Sequence, residues 1–208
     1  MVPDLDSCLA ALVLVAVALR YGRSLPQPGR VVLALLVLVW ALLPWPWGAA
    51  AWVLSYLSSF SVSAALLALV AIQLRLGGGF ALPRQQLRQV CWLLVLVATC
   101  FYPPSLGVDG IDPYSWGYGN VNLNIALLLV GGVALVLRNY LLCVLLVVAQ
   151  LAFAARLLVS DNLWDYLFDP FLVFWAIGWL VQDWRQARTQ PSSGAARHLL
   201  PEEEGSSF

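Results

Sequence analysis

The chain has 208 residues, of which 62% are hydrophobic and 11% are charged, and its mean hydropathy is +0.83. This composition excludes an ordinary water-soluble globular domain, whose apolar fraction is far lower. The formal net charge is zero, and no basic stripe with interleaved aromatic residues is present, so nucleic acid is not expected as a partner.

Seven apolar runs predict an all-α fold, a polytopic membrane helix bundle. A helix that rises 1.5 Å per residue needs about 20 residues to cross the hydrocarbon core. The runs are 5–20, 31–47, 49–74, 89–103, 121–137, 139–159 and 170–184. Six spans are the alternative, if the second and third runs form a re-entrant pair. We expect one transmembrane domain over 1–184 and a disordered cytoplasmic tail over 185–208.

Arginine and aspartate alternate between the connections of these runs. Basic residues near a span are retained on the cytoplasmic side. The arginines that mark inner connections are Arg20, Arg23, Arg30, Arg75, Arg84, Arg88, Arg138, Arg185, Arg188 and Arg197. The aspartates that mark outer connections are Asp4, Asp6, Asp109, Asp112, Asp161, Asp165 and Asp169. The alternation favours seven spans, with the N-terminus outside and the C-terminus in the cytoplasm.

The first run is predicted to be a retained span. Asp4 and Asp6 precede it, and Arg20 and Arg23 follow it. A signal peptide has the opposite order, with a basic region before its apolar stretch.

Small residues inside two runs predict close helix packing. Ser55, Ser59 and Ser63 recur at every fourth position of the third run, so they would share one face of a helix. Gly131 and Gly132 lie in the fifth run. Small side chains let two helices approach closely, although a path for a polar substrate would use the same serines.

The first outer connection, 102–124, contains more aromatic and acidic residues than a simple connecting loop usually does. Glycine, proline and asparagine indicate turns, and loops of this kind often carry function. Its candidate binding residues are Asp109, Asp112, Tyr114 and Trp116.

The second outer connection, 160–170, predicts a short helix on the outer membrane surface. Asp161 suits an N-cap, and Leu163, Trp164, Leu167 and Phe168 would form an apolar face turned toward the bilayer. Three aspartates at four-residue spacing would share the opposite face. The candidate binding residues here are Asp161, Trp164, Asp165 and Asp169.

Arg156 is the one arginine on the outer side, so we expect it to have a carboxylate partner. An unpaired charge near the hydrocarbon boundary is costly, and the candidate partners are Asp109, Asp112, Asp161 and Asp165. Three interpretations stay open: a structural ion pair, a pocket in which Arg156 holds the phosphate of a lipid headgroup, and a site for a divalent cation. Asp109 and Asp112 offer too few oxygen ligands for an EF-hand loop.

The chain lacks the residues that several reactions require. Its single histidine, His198, lies in the tail, so haem ligation by two histidines is excluded and a Ser-His or Cys-His pair has no base at membrane depth. The span interiors hold Gln73 and Gln150 but no carboxylate, which argues against proton-coupled transport. No cofactor and no metal site is predicted.

We therefore predict a non-catalytic accessory or assembly subunit of a cell-envelope system, located in a bacterial inner membrane. Its expected partners are the lipid bilayer and another membrane protein, with a lipid headgroup as a further candidate. One alternative is an enzyme acting on a lipid-linked sugar or phospholipid at the outer leaflet, with Asp109 or Asp112 as base or metal ligand. The other is a facilitator for a neutral solute, lined by the serine face.

Overall fold

The computed structural model describes residues 4–57, 59–79, 82–107 and 112–189. Every regular element in these ranges is helical, which confirms the predicted all-α class. The α-helices are α1 (Leu5–Tyr21), α2 (Gln27–Ala41), α3 (Ala49–Leu57), α4 (Val62–Arg75), α5 (Arg84–Ser105), α6 (Val121–Val136), α7 (Tyr140–Ala154), α8 (Leu163–Leu167) and α9 (Pro170–Thr189). Two 3₁₀ helices, Gly22–Ser24 and Pro113–Gly117, lie between them.

Two segments are long and apolar enough to cross a membrane, Leu5–Ser24 and Arg84–Ser105. Four shorter helices, α2, α4, α6 and α7, are also apolar and have 14 to 16 residues each. At 1.5 Å per residue these four extend about 21–24 Å, which is less than the roughly 30 Å of a hydrocarbon core.

The third apolar run is two helices, so its prediction as one span over 49–74 is wrong. α3 ends at Leu57 and α4 begins at Val62. The Ser61 hydroxyl accepts a hydrogen bond from the Ala64 amide at 3.1 Å and caps α4. Serine side chains compete for backbone partners and favour helix caps over helix interiors, which explains a break inside an apolar run.

The small residues predicted to pack helices together differ in burial and in their neighbours. Ser55 is exposed in α3, Ser59 lies outside any helix, and Ser63 is buried in α4. The prediction that these three serines share one helix face is therefore wrong. A Cβ at Gly131 would lie 3.8 Å from a leucine methyl group of α7, whereas Gly132 faces open space. A role in close packing therefore remains a prediction for Ser63 and Gly131.

In two apolar runs, the helix ends before the predicted end of the run. The second, 31–47, is helical only to Ala41, because the prolines of the Pro44–Trp47 turn cannot continue a helix. The sixth, 139–159, is helical only to Ala154, where α7 closes in a tight C-terminal turn.

The predicted start of the disordered tail, residue 185, is too early in the chain. α9 continues to Thr189, so the first five residues of the range 185–208 are helical. The Arg188 guanidinium lies 3.6 Å from the centre of the Trp184 ring, one turn earlier in the helix, which extends the ordered structure past the apolar run. Residues 190–208 lie outside the described ranges.

The core of the bundle combines buried leucines with many alanines at the helix contacts. α1 packs against α2, α3 and α4, and α7 packs against α4, α5, α6 and α8. Ala10 of α1 and Ala149 of α7 are fully buried at these contacts. Other large apolar side chains point outward: Leu128 and Val136 of α6 are 74% and 82% exposed.

Polar side chains join the helices at the end of the bundle that is predicted to be inner. The Asp183 carboxylate of α9 accepts hydrogen bonds from the Nε groups of Arg84 and Arg88 on α5, the second at 2.7 Å. Further hydrogen bonds at this end join Gln27 to Leu76, Arg30 to Arg75, and Asn139 to Gln86 and Gln89. The connections that carry the predicted inner arginines thus contact one another.

Candidate functional site

The two predicted outer segments, 112–118 and 160–169, are joined by hydrogen bonds into one unit, which we call the outer lock. The Tyr114 hydroxyl donates to the Asp165 carboxylate at 3.0 Å. The Asn162 side-chain amide donates to the Tyr114 carbonyl at 2.9 Å. Segments separated by about 50 residues in the chain therefore form a common surface at one end of the bundle.

Short polar side chains cap both helical turns of the outer lock. The Asp112 carboxylate accepts from the Tyr114 amide at 3.0 Å and opens the 3₁₀ helix. The Asn162 side-chain oxygen accepts from the Trp164 amide at 3.0 Å and opens α8. The prediction that Asp161 caps α8 is wrong, because Asp161 is exposed and the buried Asn162 takes that position.

Aromatic rings form the underside of the outer lock. The ring centre of Trp164 lies 4.8 Å from that of Phe101 on α5 and 5.6 Å from that of Phe168. The Trp164 indole N–H donates to the Pro113 carbonyl at 3.0 Å, so the ring is fixed at its polar end as well. Phe101 is absent from the predicted site residues, because a phenylalanine inside an apolar run carries no distinguishing signal.

The hydroxyl groups of the lock act as hydrogen-bond donors and acceptors within the protein. Asp165 accepts from the Ser160 hydroxyl as well as from Tyr114. Burial and the nearby Asp165 carboxylate raise the pKa of Tyr114, which keeps its hydroxyl protonated. Burial also raises the pKa of Tyr166, whose hydroxyl accepts from the Leu158 amide at 3.0 Å.

α8 packs into the bundle, so its prediction as a helix lying flat on the membrane is wrong. Leu163, Tyr166, Leu167 and Phe168 are all less than a tenth exposed, and Tyr166 is fully buried. The helix packs against α7, α4 and the 3₁₀ helix. Its apolar residues therefore cover the core of the bundle instead of facing lipid.

Asp169 faces inward and joins two helix starts. Its Oδ1 accepts from the Leu172 amide at 2.8 Å, and its Oδ2 accepts from the Ser61 amide and hydroxyl at 2.9 and 2.7 Å. The prediction that Asp161, Asp165 and Asp169 share one helix face is wrong. α8 ends at Leu167, and the extended backbone of the next residue separates Asp169 from the helix.

Arg156 does not join the outer lock. Within the described residues no ion pair connects it to Asp112, Asp161 or Asp165, and Asp109 lies outside them. The expectation of a carboxylate partner among those three aspartates is therefore wrong. The side chain of Arg156 is exposed, where water can solvate a guanidinium without a partner.

Arg156 ends α7 in a left-handed backbone conformation. Arg156 has a φ of +49°, its amide bonds to the Phe153 carbonyl at 2.9 Å, and the Leu157 amide bonds to the Ala152 carbonyl at 3.0 Å. This is the Schellman ending of a helix, at which glycine is the usual residue. Arg138 ends α6 in the same way, with a φ of +55°. A cation at a helix C-terminus is favourable.

Replacing Arg156 by glycine is expected to raise the free energy of unfolding by about 1 kcal/mol, because the left-handed conformation costs an L-residue roughly 1–2 kcal/mol. Arg156→Ala removes the guanidinium but keeps the Cβ, so this variant is not expected to raise the free energy of unfolding. Thermal unfolding in detergent distinguishes the two variants. If both are less stable than the wild type, the guanidinium contributes more to stability than the left-handed conformation costs, and the prediction is wrong.

The described structure brings together some of the predicted site residues and separates the rest. Tyr114, Trp164 and Asp165 meet in the lock, with Asp112 at its edge. Asp161 and Trp116, the latter 46% exposed, lie on the surface of the lock, Asp169 is buried at its end, and Arg156 lies outside it. Within the described ranges no group of three or more His, Cys, Asp or Glu side chains is placed to hold a metal ion.

Besides Phe101, four residues of this region are absent from the predicted site residues. Gly117 lies against Asn162, because a Cβ at position 117 would be 1.7 Å from the Asn162 side-chain oxygen. Ser61 binds Asp169, and the Ser160 hydroxyl accepts from the Asn162 amide at 3.1 Å. The one signal that indicates them is the density of small polar residues at helix starts.

Comparison with known proteins gives no match: no protein-family model, no curated protein and no solved structure is similar to this chain.

Proposed function

We propose that the chain is a multipass membrane protein that crosses the bilayer seven times, through α1, α2, α4, α5, α6, α7 and α9. Large apolar side chains cover the outer faces of α2 and α6, among them Leu36, Val39, Leu128 and Val136. Soluble proteins rarely expose contiguous apolar surfaces of this kind. Alanines fill the helix contacts, as expected for helices that pack within lipid.

The proposed topology places the N-terminus outside and the connection between α4 and α5 inside. In a variant whose four cysteines are replaced by alanine, we expect Asp161→Cys to react with a membrane-impermeant maleimide in intact cells. Gly79→Cys is expected to react only after the membrane is permeabilised, since it lies in the arginine-flanked connection. Both positions are exposed. Equal labelling of the two sites in intact cells would contradict the seven-span topology.

The function that fits this arrangement best is that of a non-catalytic accessory or assembly subunit of a bacterial cell-envelope system. The supporting observation is that the carboxylates of the outer lock accept hydrogen bonds from within the protein: Asp165 from Tyr114 and Asp169 from Ser61. A general base needs a carboxylate that reaches the proton of a substrate. Carboxylates that satisfy buried donors stabilise a structure instead.

The surface of the outer lock has the chemistry of a contact region for another membrane protein. Asp112 and Asp161 are exposed there, and Trp116 and Tyr118 are 46% and 60% exposed. Aromatic side chains are enriched at protein interfaces, where they supply large contact areas around a few polar groups. The partner that we propose binds this acidic and aromatic surface from the outer side.

Co-purification with a matched pair of variants tests the accessory function. The tagged protein is solubilised from its membrane in a mild detergent, and co-purifying chains are identified. We expect a stoichiometric partner that is lost in Trp116→Ala but retained in Tyr21→Ala, an exposed aromatic residue at the opposite end of the bundle. Recovery of the wild type as a lone monomer, or an equal loss in both variants, would contradict the proposal.

A further inference from the structure

An apolar cavity of about 230 Å³ lies beneath the outer lock, among α4 to α9. Its walls are formed by leucine, valine and alanine side chains, and among the described residues the hydroxyl of Ser63 in α4 is the only one at its lining. Apolar cavities of about 150 Å³ stay free of water and take up small hydrocarbons. The chemistry of this cavity therefore suits a hydrocarbon occupant.

The outer lock forms the roof of the cavity. Trp164, Leu167 and Phe168 line it from above. Trp164 also contacts the Phe101 ring, with the ring centres 4.8 Å apart, and is hydrogen-bonded through its indole to the Pro113 carbonyl. A ligand that arrives from the outer aqueous side would have to separate the two segments of the lock.

The side of the cavity between α5 and α6 is more open. Both helices pack against α7, and extensive contacts between α5 and α6 are absent from this part of the described chain. On the α6 wall, Leu123 and Leu127 are buried, whereas Ala126 beside them is exposed. Leu128, two residues further along, is 74% exposed on the outer face of α6. The opening is therefore continuous with the apolar surface of the bundle.

We propose that this cavity binds one acyl chain of a bilayer lipid, which enters sideways between α5 and α6. The inference rests on the membrane placement proposed above. A lateral opening at hydrocarbon depth admits an aliphatic chain directly, and filling the void restores the contacts that its lining otherwise lacks.

Photolabelling from the bilayer separates a bound chain from the lipids that surround any membrane protein. The full chain is reconstituted in vesicles that contain phosphatidylcholine with a diazirine on its acyl chain, and labelled residues are mapped by mass spectrometry. Surrounding lipid reaches the exposed Leu128. A chain in the cavity also labels the buried Leu123 and Leu127, which are 5% and 9% exposed.

A variant that fills the mouth of the cavity provides the decisive comparison. Ala126→Trp is expected to lower labelling at Leu123 and Leu127 about tenfold, which corresponds to about 1.4 kcal/mol of binding free energy. Leu128→Trp places the same residue on the outward face of α6 and is expected to leave that labelling unchanged. Helical circular dichroism and thermal unfolding establish that both variants fold.

The labelling pattern distinguishes failure of the cavity inference from failure of the membrane placement. Label at Leu128 without label at Leu123 and Leu127 overturns the acyl-chain site and leaves the placement standing. Absence of label from Leu128 overturns the placement itself. Labelling of Leu123 and Leu127 that Ala126→Trp does not reduce also overturns the site, because the chain would then reach these residues by another route.

Discussion

Replacing Asp169 by alanine is expected to lower the free energy of unfolding by about 3 kcal/mol. The carboxylate is 5% exposed and accepts three hydrogen bonds, two of them from Ser61, which lies 108 residues earlier in the chain. Loss of a helix cap costs about 1 kcal/mol, and a buried donor left without its charged acceptor costs roughly 1–3 kcal/mol. Both the start of α9 and the start of α4 lose a partner.

The matched control for this prediction is Asp161→Ala. Asp161 belongs to the same outer segment and carries the same charge, but it is exposed. We expect its substitution to change the free energy of unfolding by less than about 0.5 kcal/mol, as is usual for surface positions. Thermal unfolding in detergent, followed by circular dichroism, measures both variants. Similar stabilities of Asp169→Ala and Asp161→Ala would contradict the assigned role of Asp169.

The all-α class could be predicted because it follows from local composition. Long apolar runs with arginine or aspartate at their ends permit few other structures, and each of the seven predicted runs contains a helix. The break at Ser61 is different, because it depends on which of several neighbouring serines caps a helix. Serine capping at this point is stabilised by Asp169, a partner that lies far away in the sequence. No local pattern contains that information.

The candidate site shows the same division between local and distant information. Tyr114, Trp164 and Asp165 are conspicuous in the sequence, and the described structure places them together. The four-residue spacing of Asp161, Asp165 and Asp169 suggests a common face, but a helical period holds only while the helix continues, and α8 is five residues long. The charge pattern predicts a carboxylate partner for Arg156, whereas the described structure places this residue, exposed and in a left-handed conformation, at the end of α7.

The contact between Gly117 and Asn162 cannot be read from either segment alone. Glycine at position 117 suggests a turn, which is its usual reason in a loop. In the structure it is buried, and the space that its Cβ would fill is occupied by the side chain of Asn162. Its role is therefore to let two segments approach each other, a property of their packing and not of the local turn.

Gly117→Ala is accordingly expected to lower the free energy of unfolding by about 3 kcal/mol and to separate the outer lock. The new Cβ would lie 1.7 Å from the Asn162 Oδ1 and 2.8 Å from the Trp164 Cδ1. Asn162 cannot yield easily, because its side chain bonds to the Tyr114 carbonyl and the Trp164 amide. Overpacking costs about 1–3 kcal/mol, and displacing Asn162 leaves the Trp164 amide of α8 without its cap.

The control for this prediction is Gly132→Ala, the same substitution at a position where the added methyl group meets no neighbouring atom. Gly132 lies within α6, and a methyl group added there would have no neighbouring atom within 4 Å, so alanine is expected to stabilise the helix by about 0.5–1 kcal/mol. The two variants should therefore change the unfolding midpoint in opposite directions. Because Asn162 is fully buried and holds both segments, an unchanged midpoint for Gly117→Ala would mean that the lock does not depend on this contact.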